Sequence, residues 1–132
     1  MSKKALCTTL VLFLAAAGGA FAQASTFQNS CSNIAFAYQD NQPTLKATCL
    51  TRSGSPQPST LVLQGISNQN GRLVQGTGAS TFQQSCGNIQ IVVSADGRTV
   101  TLSAICGTGS GGSNVTSLPL QGISNQNGTL TQ

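Results

Sequence analysis

The chain has 132 residues, lacks histidine and tryptophan, and contains only 6% charged residues, against roughly a quarter in an average soluble protein. Without histidine, Ser-His and Cys-His nucleophile systems and histidine-based metal sites are excluded. The formal net charge is +4, but Lys3 and Lys4 stand at the extreme N-terminus. The remaining positive charge is too small and too dispersed to predict nucleic-acid binding.

The N-terminal segment has the three-part pattern of a secretory signal peptide. Two lysines precede an apolar run over residues 6–17 and a stretch rich in small residues over 18–24. Cleavage after Ala22 or after Ala24 satisfies the small-x-small rule, so residues 1–22 are predicted to be removed and the protein to be secreted. The apolar run is shorter than the roughly 20 residues that span a bilayer, so no membrane insertion is predicted.

Four cysteines remain once Cys7 leaves with the signal peptide, and an even number in a short exported chain predicts disulfide bonds. These are Cys31, Cys49, Cys86 and Cys106. Symmetry permits Cys31–Cys49 with Cys86–Cys106, or Cys31–Cys86 with Cys49–Cys106. We prefer the first pairing because it ties the two ends of a hairpin together locally. No C-x-x-C pair is present, so a zinc site is not predicted.

An internal duplication organises the chain after residue 24. The segment 25–31 recurs at 80–86 with one difference, and 63–71 recurs unchanged at 120–128. We therefore predict two repeats, 25–79 and 80–132, with a two-residue insertion between Cys86 and Cys106. One repeat is marginal for a core of its own, so the two are expected to share a core and to exchange strands. The protein is expected to be a monomer or a domain-swapped dimer.

Each repeat has the pattern of β-strands. Apolar residues alternate with small or polar ones over 34–38 and 89–93, which predicts the first strand of each repeat, and a second strand runs up to the second cysteine. Turns are predicted at 40–43 and 95–98, with the insertion in the latter, and flexible stretches at 52–60 and 107–117. Asn70-Gly71 and Asn127-Gly128 then predict two tight turns. With no helical periodicity, the fold class is all-β.

Asp40 and Asp96, the only acids, fall in equivalent turns of the two repeats. Pseudosymmetry should separate them, whereas glycosidase carboxylates lie within about 10 Å of each other. We interpret both as turn formers and predict no enzymatic activity. The repeated Ser-Asn-Gln-Asn-Gly segment is more informative, because neutral amides both donate to and accept from sugar hydroxyls. It favours a carbohydrate-binding protein over a purely structural domain.

The order of these motifs resembles the cyanovirin-N homologue (CVNH) lectin family from Thr26 to Gln132. Each repeat reads Phe-x-x-[Ser/Asn]-Cys, a hairpin, a second Cys, a loop, and Leu-x-x-Ile-x-Asn-x-Asn-Gly-x-Leu. The residues that carry the resemblance are Phe27, Cys31, Cys49, Leu63, Ile66, Asn68, Gly71 and Leu73, with Phe82, Cys86, Cys106, Leu120, Ile123, Asn125, Gly128 and Leu130. The resemblance implies one pseudosymmetric, elongated β domain with disulfides inside each repeat and strand exchange between repeats.

The resemblance also implies two sugar pockets that need no metal or other cofactor. Pocket A would use Thr26, Asn29, Ser30, Thr51, Arg52, Asn125 and Asn127. Pocket B would use Thr81, Gln84, Ser85, Thr108, Asn68 and Asn70. The implied ligands are mannose-containing glycans or glycoproteins, especially α1,2-linked high-mannose glycans, with an antiviral activity through them.

Two departures from the family pattern bear on sugar binding, and the second motivates an alternative. Asn70 and Asn127 stand where the family often has aspartate, and the loop over 107–113 is almost bare of side chains. The alternative is a secreted structural or interaction module of the same fold that has lost sugar binding.

Overall fold

The computed structural model describes residues 23–132, so the predicted signal peptide and Cys7 lie outside the described residues. Two short 3-10 helices, Phe27–Asn29 and Phe82–Gln84, are the only helical segments in this part of the chain, which confirms the all-β fold class. None of its helices is long and apolar enough to cross a membrane. The strands, in chain order, are β1 (Cys31–Gln39), β2 (Gln42–Leu50), β3 (Pro56–Val62), β4 (Gln64–Asn68), β5 (Leu73–Ala79), β6 (Cys86–Val93), β7 (Val100–Gly107), β8 (Ser113–Pro119), β9 (Ser124–Gln126) and β10 (Thr129–Thr131).

The strands form two antiparallel three-stranded sheets and two separate hairpins. The sheets have the orders β1-β2-β3 and β6-β7-β8, and the hairpins are β4-β5 and β9-β10. Cys31 lies opposite Cys49 in the first sheet, and Cys86 lies opposite Cys106 in the second. Disulfide bonds join both pairs, which confirms the preferred local pairing.

The first turn of each sheet shows where the two-residue insertion lies. Asp40 and Asn41 alone connect β1 to β2, and both have positive φ, 53° and 64°. The equivalent connection over 94–99 is longer, which confirms that the insertion lies in this hairpin. The prediction that Gln42 and Pro43 belong to the first turn is wrong, because two left-handed residues already reverse the chain. Pro43 is accommodated near the start of β2, where a proline interferes least with strand pairing.

The predicted flexible stretches at 52–60 and 107–117 are wrong over about half of their length. In these parts of the chain the loops are confined to residues 51–55 and 108–112. The segments that follow them are the strands β3 and β8. Each pairs with seven consecutive residues of the central strand, from Thr44 to Leu50 and from Thr101 to Gly107. The proline, serine and glycine content hid these strands because their β-propensity is low. β3 and β8 are the outer strands of their sheets. Pro56 and Pro58 of β3 cannot donate a backbone hydrogen bond, and an outer strand tolerates this because only one of its edges pairs within the sheet.

One hydrophobic core serves both repeats, as predicted. Phe27 and Phe82, fully buried at the start of the two repeats, belong to the same cluster of packed side chains. Leu45 and Leu102, at equivalent positions of the central strands, belong to it as well. The two three-stranded sheets therefore share a single interior.

The hairpins are exchanged between repeats, which confirms the predicted strand exchange. The β9-β10 hairpin of the second repeat docks on β3, where the Leu130 amide donates to the Ser59 hydroxyl at 2.9 Å. The β4-β5 hairpin of the first repeat docks on β8, where the Leu73 amide donates to the Thr116 hydroxyl at 3.2 Å. Each sheet is thus completed by a hairpin from the other repeat.

Candidate functional site

The repeated Asn-Gly pairs form the tips of the exchanged hairpins. Asn70 and Asn127 both have φ of 54°, and Gly71 and Gly128 have φ of 89° and 90°, as the sequence predicted. A Cβ on Gly128 would lie 2.9 Å from the Thr51 methyl group and 3.0 Å from the Gln57 amide nitrogen. Glycine is therefore required both by the turn and by the close approach of the tip to the opposite repeat.

Asn125 fastens the β9-β10 tip to the first repeat with two hydrogen bonds and closes the turn with a third. Its amide nitrogen donates to the Ser30 hydroxyl at 2.8 Å and to the Leu50 carbonyl at 2.9 Å. Its amide oxygen accepts from the backbone of Gly128 at 2.7 Å. Both amide hydrogens are therefore used inside the protein, so the main contribution of Asn125 is to hold the tip in place.

Asn68 repeats this arrangement at the other end. Its amide nitrogen donates to the Ser85 hydroxyl and to the Gly107 carbonyl, both at 2.9 Å. Its oxygen accepts from the Gly71 amide at 2.7 Å. The same residue types at both ends thus make the same contacts, which follows from the duplication.

The second asparagine of each tip contacts the loop after the second cysteine. The Asn127 oxygen accepts from the backbone of Arg52 at 2.9 Å, and the Asn70 oxygen accepts from Gly109 at 2.7 Å. Asn127 and Asn70 are exposed. The amide nitrogen of Asn127 has no hydrogen-bond partner within residues 23–132, so its N–H groups are available to a ligand.

A cleft of about 400 Å³ opens where these groups meet at pocket A. Five of the seven residues predicted for pocket A line it, and three others were missed. The predicted lining residues are Ser30, Thr51, Arg52, Asn125 and Asn127, and the missed ones are Leu50, Gly54 and Gln126. The lining does not include Thr26 and Asn29, which flank and end the first 3-10 helix. Gln126 could have been found, because it lies inside the repeated Ser-Asn-Gln-Asn-Gly segment.

At pocket B the structure brings together Asn68, Ser85 and, through the loop over 108–112, Asn70 and Thr108. Thr108 holds this loop by accepting from the Gly112 amide at 3.1 Å. The predicted residues Thr81 and Gln84 lie at the positions of Thr26 and Asn29, around the second 3-10 helix.

Pocket B differs from pocket A in three loop side chains. Gly107, Gly109 and Gly112 stand at the positions of Leu50, Arg52 and Ser55. Pocket B therefore has the same framework with fewer side chains to present.

Two buried serines, missed by sequence reasoning, connect each repeat to a hairpin. Ser25 donates to the Leu120 carbonyl at 2.8 Å and accepts from the Ile123 amide at 3.1 Å. Ser80 makes the equivalent bonds to Leu63 and Ile66. Their recurrence in the repeated segments 25–31 and 80–86 was the available signal.

Asp96 is used inside its own loop. One of its oxygens accepts from the Ser94 hydroxyl at 2.6 Å and from the Arg98 amide at 3.0 Å. These two bonds lower the pKa of Asp96 below its ordinary value. Within the described residues no group of three or more His, Cys, Asp or Glu side chains could hold a metal ion.

The family model for the CVNH domain matches residues 4–74, which is just over half of the chain. The chain belongs to the CVNH family. Several solved CVNH structures share its fold. The CVNH protein of Gibberella zeae is 29% identical, with a TM-score of 0.59 over 80% of this chain and 94% of its own. That of T. borchii is also 29% identical, with a TM-score of 0.61 over 80% of this chain and 97% of its own.

Microvirin, solved as a complex with mannobiose, is 28% identical to this CVNH chain. Its TM-score is 0.61, and the match covers 81% of this chain and 97% of microvirin. No curated protein sequence matches significantly.

Proposed function

We propose that this CVNH protein is a non-enzymatic lectin that binds carbohydrate at pocket A and pocket B, with mannose-type glycans as its ligands. The observation that carries the proposal is the polar cleft formed at the junction of Asn125 with Ser30. Neutral amides and hydroxyls held in rigid turns match sugar hydroxyls, which also donate and accept. Microvirin, a relative of similar length, was solved with mannobiose, which supports mannose as the sugar.

The groups left free in pocket A define how a sugar would be held. The amide of Asn127 can donate, and the Ser30 hydroxyl keeps its hydrogen because it accepts from Asn125. Gln126 donates to Ser124 at 3.0 Å, which leaves its carbonyl oxygen to accept from a sugar hydroxyl. The side chain of Leu50, 46% exposed, adds an apolar surface for the face of a sugar ring.

The test is a calorimetric titration of the oxidised protein with α1,2-linked mannose oligosaccharides. The protein is produced in a host that does not glycosylate, because Asn127-Gly128-Thr129 is an acceptor sequence for N-linked glycans. We expect micromolar binding that EDTA does not change. An Asn127→Gly/Asn70→Gly variant keeps the left-handed backbone at both tips but removes the side chains. It should bind at least tenfold more weakly while still unfolding in one cooperative transition, with a free energy of unfolding lower by about 2 kcal/mol at most because two bonds to the loops are lost.

A second candidate is a module of the same fold without sugar binding. The observation that favours it is the internal use of both amide hydrogens of Asn125 and of Asn68, which leaves fewer groups for a ligand. Absence of binding to any glycan at millimolar concentration would support it and would refute the lectin proposal. Antiviral activity depends on the lectin proposal, since it requires a virus that displays the bound glycan.

We also propose that the protein is secreted and that processing occurs after Ala22 rather than after Ala24. The Gly122 amide donates to the Gln23 carbonyl, and Ala24 forms an antiparallel bridge with Gln121. The first repeat makes the same pairing between Gln64 and Ala79. Cleavage after Ala22 keeps this contact in the mature protein, whereas cleavage after Ala24 removes it.

A further inference from the structure

The two pockets share one framework but differ in charge. Arg52 lines pocket A, and the residue at its position in pocket B is Gly109. The backbones of both donate to the tip asparagine in the same way, so only the side chain differs. Asp40 and Asp96 are the only acids of the chain, and neither lines the cleft at pocket A. Pocket A therefore carries an uncompensated positive charge.

The free groups of pocket A are mostly donors. The oxygens of Asn125 and Asn127 already accept from the backbone, at Gly128 and Arg52. In the described part of the chain, the Arg52 guanidinium has no hydrogen-bond or ion-pair partner. A guanidinium presents several N–H groups in a planar fork that fits a carboxylate or a phosphate. Alongside it stand the Ser30 hydroxyl and the Asn127 amide.

We propose that pocket A prefers a saccharide that bears an anionic group, a carboxylate or a phosphate or sulfate ester, whereas pocket B binds neutral saccharides. This rests on the proposed lectin function and specifies the ligand class of the same site. The sugar hydroxyls engage Gln126 and Asn127, and the anion pairs with Arg52. A neutral sugar still binds pocket A, but without the charge-assisted hydrogen bonds that the anion adds.

The structure permits the arginine to be removed from pocket A or added to pocket B by single substitutions. The backbone of Gly109 lies outside the left-handed region, and a Cβ there would meet only the Asn70 oxygen at 3.5 Å, an ordinary contact. Gly109→Arg is therefore compatible with the fold, and Arg52→Gly makes pocket A resemble pocket B. Lys46→Ser is the matched charge control, because Lys46 is exposed, does not line the cleft, and corresponds to Ser103 in the second repeat.

The experiment is a nitrogen-15 NMR titration of the whole mature protein with α1,2-mannobiose and with the same disaccharide carrying a 6-phosphate. The backbone resonances of Arg52 and Asn127 report on pocket A, and those of Gly109 and Asn70 report on pocket B. Methyl glucoside and methyl glucuronide form a second pair, which distinguishes a carboxylate from a phosphate. At low salt the anionic member of at least one pair should bind pocket A about tenfold more tightly, the value of a hydrogen bond to a charged group. The advantage should shrink at 1 M salt.

The variants assign the effect to one side chain. Arg52→Gly should abolish the preference in pocket A, Arg52→Lys should keep part of it, and Gly109→Arg should create one in pocket B. Lys46→Ser should change nothing. Arg72 follows the tip at pocket B, where the other repeat has Thr129. Arg72→Thr should leave the relative affinities of pocket B for neutral and anionic saccharides unchanged, and a change would overturn the assignment of the effect to Arg52 and Gly109.

Equal affinity of pocket A for neutral and anionic saccharides would overturn the inference and leave the lectin proposal intact. It would also be overturned if the preference survived Arg52→Gly, or if inorganic phosphate alone bound as tightly as the phosphorylated sugar. Failure of every saccharide to bind would refute the lectin proposal as well.

Discussion

The amide nitrogen of Asn125 lies 2.8 Å from the hydroxyl of Ser30, a residue 95 positions earlier in the chain. The pair joins the exchanged hairpin of the second repeat to the first repeat, and Asn68 with Ser85 does the same at the other end. Hairpin docking and pocket formation are therefore one event, since the same side chains serve both.

This double role predicts that Asn125→Ala destabilises the protein as well as pocket A. The variant loses three hydrogen bonds, two from the amide nitrogen and one to its oxygen. At roughly 1 kcal/mol for each bond, the free energy of unfolding should fall by about 2 to 3 kcal/mol. Urea denaturation followed by circular dichroism measures the change.

Asn127→Gly is the control for Asn125→Ala, because it removes only the bond to Arg52 and keeps the left-handed turn. Its loss of stability should be the smaller of the two. If Asn125→Ala unfolded at the same urea concentration as the wild type, Asn125 would not be the fastening that we describe. Because Asn125 both holds the tip and lines the pocket, loss of sugar binding in Asn125→Ala does not by itself distinguish a ligand contact from a structural one.

Gly128→Ala should loosen the β9-β10 tip through a steric clash added to backbone strain. The new methyl group would lie 2.9 Å from the Thr51 methyl, closer than real Cβ contacts, and 3.0 Å from the Gln57 amide nitrogen, so the neighbours would have to shift. Gly54 has a similar φ, +84°, and a Cβ added there would have no neighbour within 4 Å, so Gly54→Ala carries the backbone strain alone.

We expect Gly54→Ala to cost about 1 to 2 kcal/mol, the penalty of a left-handed alanine, and Gly128→Ala to cost clearly more. Thermal unfolding of the two variants under the same conditions gives the comparison. Equal losses would mean that the tip has room to move away from the first repeat. Gly71→Ala should behave like Gly128→Ala, because its methyl group would meet Thr108 and Asn114.

The local features of the fold were predictable from the sequence, whereas the composition of the pockets was only partly so. Asn127-Gly128 determines its own turn, because both residues favour positive φ. The disulfide pairing followed from the duplication together with the hairpin. The strand β3 was missed because Pro56 and Pro58 have low β-propensity, and only the neighbouring strand β2 supplies the partner that makes it a strand.

Leu50 and Gly54 could not be assigned to pocket A from sequence for a similar reason. Nothing local marks them, and they reach the cleft only because the loop over 51–55 folds beside the tip of the other repeat. The sequence analysis placed Ser30 and Asn125 in one pocket only through the resemblance to the CVNH family, because residues so far apart in the chain give no local signal of contact. Side chains whose role depends on the exchange of hairpins are thus the ones that sequence patterns miss.

Asp96 should contribute to stability in a pH-dependent way. Its pKa is lowered in the folded protein by bonds from the Ser94 hydroxyl and the Arg98 amide. The unfolded chain therefore takes up this proton at a higher pH than the folded protein does. The contribution is complete above the ordinary pKa of an aspartate and is lost as the pH falls through the lowered value.

The free energy of unfolding of the wild type should accordingly decline more steeply between about pH 5 and pH 2 than that of Asp96→Asn. The effect is expected to be small, because Asp96 is fully exposed. Asp40→Asn removes the other acid of the chain and serves as the matched control. Identical pH profiles for the wild type and Asp96→Asn would show that the loop bonds do not stabilise the folded state.

The position of the mature N-terminus can be tested by sequencing the exported protein. We expect Gln23 as the first residue, because its carbonyl accepts from the Gly122 amide and Ala24 pairs with Gln121. A protein that starts at Ser25 lacks both contacts. It keeps the neighbouring bond that the Ser25 hydroxyl donates to the Leu120 carbonyl and the one it accepts from the Ile123 amide. Each net hydrogen bond contributes about 1 kcal/mol.

Purified proteins that span residues 23–132 and 25–132 should therefore differ by about 1 kcal/mol in their free energy of unfolding, the longer one being more stable. The comparison is removal of two residues, 131–132, at the other terminus. Gln132 donates to the Gln121 carbonyl and so closes the same edge. Both truncations should weaken this edge. A mature protein that begins at Ser25 and is as stable as the longer form would show that the pairing of Ala24 with Gln121 contributes nothing, and cleavage after Ala22 would then lose its structural basis.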